Sequence, residues 1–102
     1  MRYIYYIDNK KFTTDNYNTI PFDEISSPDE NTPAYEVLET GEKLWCEKGW
    51  RWHRLTGPAR ICFNGKIQFW IDDYFYDNIH KWLSIHPNQD NSFQIEMLLK
   101  YS

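Results

Sequence analysis

The chain has 102 residues, 19% of them aromatic, and a formal net charge of −4. This length is typical of one small domain, and no apolar run approaches the roughly 18 residues of a membrane span, which excludes a membrane protein. Residues 1–5 lack the apolar stretch of a signal peptide, and two cysteines are too few for a disulfide framework. We therefore expect a cytoplasmic protein with reduced Cys46 and Cys62, although a single bridge between them stays open.

The amino-terminal third predicts a hairpin followed by an irregular segment. Tyr3–Ile7 is rich in β-branched and aromatic residues, and Asp8 and Asn9 then form a turn that leads to a second strand around Phe12. A short helical turn follows. Residues 21–33 contain three prolines, four acids and few apolar side chains. That composition predicts an exposed connector.

The middle of the chain has the pattern of a β-meander. Asn64-Gly65 is the strongest short hairpin signal that a sequence offers. Apolar residues alternate with polar ones after this turn, which predicts that Ile67, Phe69 and Ile71 share one face of a strand. The predicted strands are Tyr35–Glu39, Glu42–Glu47, Trp50–His53, Arg60–Phe63, Lys66–Ile71 and Tyr74–Tyr76.

The periodicity becomes helical after residue 76. Asp77 or Asn78 is the expected cap of a first helix, and Asn91 or Ser92 is the expected start of a second. The first helix has a stripe formed by Ile79, Trp82, Leu83 and His86. The second has Phe93, Met97 and Tyr101 on one side, with Ile95, Leu98 and Leu99 beside it. We expect both helices to cover the end of the sheet.

An internal repeat of 24 or 25 residues underlies the middle of the chain. Pro33-Ala34 matches Pro58-Ala59, and Gly41 matches Gly65, once a single deletion is allowed. Units of this length cannot bury their own apolar faces, so successive copies stack on one another. The amino terminus supplies a partial third copy. The repeat predicts equivalent positions for Tyr5, Trp45 and Phe69.

The stretch His53-Arg54-Leu55-Thr56-Gly57-Pro58-Ala59, followed by Asn64-Gly65 and Phe69-Trp70, resembles a variant of MORN-type repeats found in small phage and bacterial proteins. The resemblance is good over residues 53–73, weaker over 29–52, and implies an antiparallel meander of hairpin repeats; it does not cover the helical tail. Together with the helices predicted above, we expect a mainly β fold capped by two carboxyl-terminal helices, in a single domain made of a partial repeat (1–20), an acidic loop (21–33), two repeats (34–77) and a helical cap (78–102). The resemblance also implies a structural or partner-binding role, since such repeats carry no catalytic residues.

No reactive constellation is apparent. Cys46, Cys62 and His53 lack an orienting third group, and His80 and His86 lie on different sides of the predicted helix. There is also no glycine-rich phosphate loop. We therefore expect neither an enzyme nor a cofactor, and no metal site.

We expect a non-enzymatic protein-binding module, cytoplasmic and, if a phage encodes it, a modulator of a host defence protein. Charge is polarised, with three bases and eight acids in residues 1–41 against six bases and two acids in 42–66. One alternative is a single-stranded nucleic-acid binder that uses the basic aromatic segment 43–66. Another is a structural virion or assembly component. The residues expected to contact a protein partner are Phe22, Asp23, Glu24, Ile25, Asp29, Glu30, Arg51, His53 and Arg54.

Overall fold

A computed structural model describes residues 1–102 and confirms the mainly β prediction. Seven strands form an antiparallel sheet in the order β2-β1-β3-β4-β7-β8-β9, and β5 and β6 form a separate hairpin. A 3-10 turn at Tyr17–Thr19 follows β2, and neither helix has the length and apolar composition that crossing a bilayer requires. The strands are β1 (Tyr3–Ile7), β2 (Lys10–Thr14), β3 (Tyr35–Val37), β4 (Lys43–Leu44), β5 (Cys46–Glu47), β6 (Arg51–Trp52), β7 (Arg60–Ile61), β8 (Ile67–Ile71) and β9 (Tyr74–Tyr76), and the helices are α1 (Ile79–Ile85) and α2 (Asn91–Tyr101).

The first and last hairpins have the same geometry. Asp8 and Asn9 have φ values of 49° and 67°, and Asp72 and Asp73 have 49° and 69°. Two successive left-handed residues define the hairpin turn whose twist matches that of the flanking strands. Tyr5 pairs with Phe12 in one hairpin, as Phe69 pairs with Tyr76 in the other. The alignment of these two segments in the sequence thus has a structural counterpart.

The predicted strand Glu42–Glu47 is wrong in one respect, because it is split at Trp45. The Trp45 amide donates to Ala59 O at 2.7 Å in the large sheet, and its carbonyl accepts from His53 N at 3.2 Å in the small hairpin. Trp45 therefore joins the two sheets, whereas its counterpart Phe69 lies within a continuous strand. Both side chains are buried, while that of Tyr5 is half-buried. Strand register puts Tyr5 on the opposite face of the sheet from Phe69, so the predicted equivalence of the three positions is wrong.

The two helices cover one face of the sheet at its carboxyl-terminal end. The predicted Asn78 cap is confirmed, since its side chain accepts a hydrogen bond from Lys81 N at 3.0 Å. The second helix begins at Asn91, the earlier of the two predicted starts, and Asp90 caps it. The buried residues of the two helices form a core with two residues of β8. This core comprises Phe69, Ile71, Ile79, Trp82, Leu83 and Met97.

The connector 21–33 is not the exposed loop that its composition predicted. Ile25 has no exposed surface and packs with Ile20 and Leu44 in a second core. The backbone amides of Ser26 and Ser27 donate to carbonyls of β1 and β5 at 3.0 and 2.8 Å. Prolines and acids obscured this role in the sequence, because one buried isoleucine among polar residues gives no periodic signal.

Candidate binding groove

A row of aromatic rings crosses the sheet face opposite the helices. Each ring lies within 6 Å of the next, at centroid distances of 5.8, 5.2, 4.8, 5.7, 4.8 and 5.3 Å along the row. Contacts at these separations are favourable for aromatic pairs. We call this set the aromatic row; in order it contains Tyr3, Tyr17, Phe22, Trp50, Trp52, Trp70 and Phe75.

The row combines residues of the sheet with residues that fold over it. Strand register places Tyr3, Trp70 and Phe75 on the same face of the sheet. The 3-10 turn adds Tyr17, the connector adds Phe22, and the β5–β6 hairpin adds Trp50 and Trp52. Their contacts depend on this folding over the sheet, so the sequence alone could not assemble the row. The only signal was the alternation of aromatic and polar residues within single strands.

Trp50 occupies its place in the row at a conformational cost. Its φ is 62°, in the left-handed region that bulky residues rarely adopt. The β5–β6 turn has three residues, one more than the turns of the first and last hairpins, and the third of them is Trp50. Its ring lies 4.8 Å from that of Phe22 and 5.7 Å from that of Trp52. Strained residues of this kind concentrate at ligand-binding sites.

An open cleft of about 300 Å³ lies beside the centre of the row. Glu42 and Arg60 reach into it and form an ion pair at 3.4 Å, and the Arg60 guanidinium lies 5.3 Å from the centre of the Trp52 ring. A second cleft of about 380 Å³ adjoins the first and extends toward Phe63. The two clefts form one groove. Five aromatic side chains line the first cleft, namely Tyr17, Phe22, Tyr35, Trp50 and Trp52.

The cleft has a negative electrostatic character at Tyr35. Burial raises the pKa of this phenol far above its usual value, and the nearby Glu42 carboxylate raises it further. Arg60 opposes this effect only weakly. The hydroxyl is therefore a neutral hydrogen-bonding group at any physiological pH.

The positive charge of residues 42–66 is largely neutralised in the folded protein. Lys43 pairs with Glu36 at 3.8 Å, and Arg51 pairs with Asp72 at 3.4 Å. Arg60 pairs with Glu42, and Arg54 is buried. Of the six bases in this segment, Lys48 and Lys66 alone are exposed without an ion pair. The sequence could not show this, because most of the partner acids lie elsewhere in the chain.

Arg54 is a structural residue and not the partner contact that its position suggested. Its guanidinium lies 3.9 Å from the centre of the Trp45 ring. Its Nε donates to Glu30 O at 2.8 Å and its Nη1 to Pro58 O at 3.1 Å. Burial lowers the pKa of the group, although an arginine stays charged.

Two of the expected contact residues in the connector are also occupied by internal contacts. Glu30 Oε1 accepts from the amides of Leu55 and Thr56 at 2.8 and 2.9 Å, and Ile25 is fully buried. Neither is free to bind a partner as predicted. The exposed members are Asp23, Glu24 and Asp29, while Phe22 is half-buried within the aromatic row. Asp23 and Glu24 follow Phe22 directly and place acidic groups beside the row.

His53 connects the β5–β6 hairpin to the turn of the β8–β9 hairpin. Its Nδ1 accepts a hydrogen bond from Asp72 N at 3.1 Å, and the Glu47 and Asp72 carboxylates lie 3.9 and 3.4 Å from the same nitrogen. These three side chains bring their potential ligand atoms within 4.8 Å of one another. The Nδ1 lone pair is already used by the amide, and Arg51 pairs with Asp72, so the cluster is a structural contact. The exposed Arg51 is part of it.

Cys46 is expected to be inert toward thiol reagents in the native protein. Burial raises the pKa of its thiol to about 12, and Sγ donates to Ile25 O at 3.6 Å. Reactivity needs thiolate, which is scarce at neutral pH under these conditions. In Cys62→Ser, titration with a chromogenic disulfide should show no rapid reaction until denaturant is added. Rapid labelling of the native variant would show that the segment over Cys46 opens readily.

Comparison with known proteins found no match: no family model, no curated protein and no solved structure resembles the chain significantly. The resemblance to MORN-type repeats therefore stays a prediction.

Proposed function

We propose that this protein is a non-enzymatic binding module that holds an extended segment of a partner protein in the aromatic groove. The observation that supports this proposal most directly is the aromatic row itself. Tryptophan and tyrosine dominate the energetics of protein interfaces, and exposed contiguous apolar surface is uncommon on a protein without a partner. Tyr17 and Phe75 in the row are at least half exposed, and the other five rings are partly buried, four of them against the second core.

Electrostatics favours a polypeptide over nucleic acid. Binding of nucleic acid depends on several unpaired bases that contact phosphates. Here Arg51 and Arg60 beside the row are ion-paired, whereas Asp23 and Glu24 are exposed without an ion pair. A polyanion would be repelled by these acids. A basic segment of a partner protein would be attracted by them, which also raises its association rate.

The proposal can be tested by selecting binders from a displayed library of random linear peptides. Trp52→Ala removes the central ring, and Trp50→Gly removes a ring at a backbone position that glycine adopts without strain. We expect selected peptides to bind each variant at least tenfold more weakly, since buried aromatic anchors contribute about 1–4 kcal/mol. Tyr74→Ala is the matched control, because Tyr74 is an exposed aromatic residue outside the row.

The experiment also examines the nucleic-acid alternative. A 20-residue oligothymidylate is titrated at several salt concentrations in parallel. Tight binding that decreases steeply with salt would contradict the proposal, because it would show contacts to many phosphates. Peptide binding that is insensitive to both tryptophan substitutions would contradict it as well.

A further inference from the structure

The cleft beside Trp50 and Trp52 has the components of a binding site for a cation. Phe22, Tyr35 and the two tryptophans line the cleft, and the faces of aromatic rings carry the negative part of the aromatic quadrupole. The Glu42 carboxylate lies among them. A cleft with aromatic walls and one carboxylate is suited to an ammonium or guanidinium group that is only partly desolvated on binding.

The protein's own arginines show that its tryptophans accept guanidinium groups. Arg54 lies over Trp45 at 3.9 Å, and Arg60 lies over Trp52 at 5.3 Å. The Arg60 contact is looser, and its ion pair with Glu42 Oε1 is long at 3.4 Å. The other carboxylate oxygen, Oε2, makes no hydrogen bond within the protein. Arg60 therefore leaves one carboxylate oxygen of Glu42 available to a second cation.

Charges around the cleft favour the same ligand. Burial raises the pKa of Tyr35 in this cleft, and the nearby Glu42 carboxylate raises it further, more than Arg60 lowers it. Asp23 and Glu24 add two exposed negative charges next to Phe22. Arg51, between the two tryptophans, is ion-paired with Asp72, and Lys48, in the β5–β6 turn, is the nearest exposed base without an ion pair. A basic side chain of the partner is therefore attracted by these acids more strongly than it is repelled by Lys48.

We propose that this cleft binds an arginine or lysine side chain of the partner segment, through the faces of Trp50 and Phe22 and the carboxylate of Glu42. This inference builds on the proposed function and specifies the chemistry of the bound residue. Arg60 acts as an internal competitor, because it holds one oxygen of Glu42 and repels a second cation.

The test uses an end-blocked Gly-Arg-Gly tripeptide and its citrulline counterpart, which has nearly the same shape and no charge. Indole N–H signals of the five tryptophans are followed by NMR, with buried Trp45 and Trp82 as internal references. We expect saturable shifts of Trp50 and Trp52 with the arginine peptide and none with the citrulline peptide. Gly-Lys-Gly distinguishes an ammonium from a guanidinium preference.

Two substitutions of opposite charge make the test decisive. Glu42→Gln should weaken binding of the arginine peptide about five- to tenfold, since a Coulomb attraction of about 1 kcal/mol is lost. Arg60→Met should strengthen it by a similar factor. Arginine-peptide binding that is unchanged or tighter in Glu42→Gln would overturn the inference, because the carboxylate would then not attract the ligand. Equal binding of the arginine and citrulline peptides would also overturn it.

The outcomes separate this inference from the proposed function. If library peptides depend on Trp52 but show no preference for basic residues, the groove binds peptides and the cation site is wrong. If the arginine peptide binds yet no library peptide depends on the aromatic row, the cation site stands and the proposed function is wrong.

Discussion

Arg54→Ala is expected to lower the free energy of unfolding by about 3 kcal/mol, within the range found when buried polar networks are broken. The substitution removes the cover of Trp45 and leaves the carbonyls of Glu30 and Pro58 without their donors. Arg54→Lys should recover little, because an ammonium cannot make both hydrogen bonds while stacking on a ring. Chemical denaturation followed by circular dichroism measures these changes.

Arg51→Ala is the matched control for this prediction. Arg51 is three residues away and forms one exposed ion pair with Asp72 at 3.4 Å. Exposed pairs contribute about 1 kcal/mol or less, so the control should unfold almost as the wild type does. If the two substitutions destabilised the protein equally, Arg54 would not be the centre of the network that the structure describes.

The contacts of Arg54 also explain why residue 57 is a glycine. A Cβ on Gly57 would lie 2.7 Å from the Tyr101 hydroxyl and 2.9 Å from Arg54 Nη1. The glycine is therefore required by close approach and not by a left-handed backbone. In the sequence it indicated a turn before Pro58. The contact with Tyr101, 44 residues later, could not be inferred from it.

Local signals predicted most of the fold. The turns at Asp8-Asn9, Asn64-Gly65 and Asp72-Asp73 and the cap at Asn78 depend on neighbouring residues, so the sequence revealed them. Features that depend on distant contacts were missed. The break at Trp45 arises because its amide and carbonyl bind different sheets, and nothing in Glu42–Glu47 indicates it.

The candidate groove was predicted only in part. Trp50 and Trp52 belong to the predicted strand Trp50–His53, in which alternation puts them on one face. The structure packs both against the second core and leaves them partly buried at the edge of a cleft. Tyr17 and Phe22 come from segments without regular periodicity, so their approach to these rings gave no signal in the sequence. Neutralisation of the basic segment also depends on tertiary contacts, which composition cannot show.

A substitution in the connector 21–33 is expected to give the second large loss of stability. Sequence composition suggested that replacing its four acids would leave stability nearly unchanged. The structure predicts a different result for Glu30, whose Oε1 accepts from the two backbone amides of Leu55 and Thr56. Glu30→Ala is expected to cost about 2–3 kcal/mol, because hydrogen bonds to a charged acceptor are strong and two partly buried donors lose their partner.

Glu24→Ala serves as the control within the same connector, since Glu24 is exposed and its side chain forms no hydrogen bond or ion pair. Thermal unfolding of the two variants should differ by roughly 10–20 °C in Tm, given that about 1 kcal/mol corresponds to 4–8 °C for a domain of this size. Glu30→Gln should lie between them, because its amide oxygen still accepts hydrogen bonds but carries no charge. Similar Tm values for Glu30→Ala and Glu24→Ala would show that the connector does not hold residues 54–58 in place, and the buried position of Arg54 would then need another explanation.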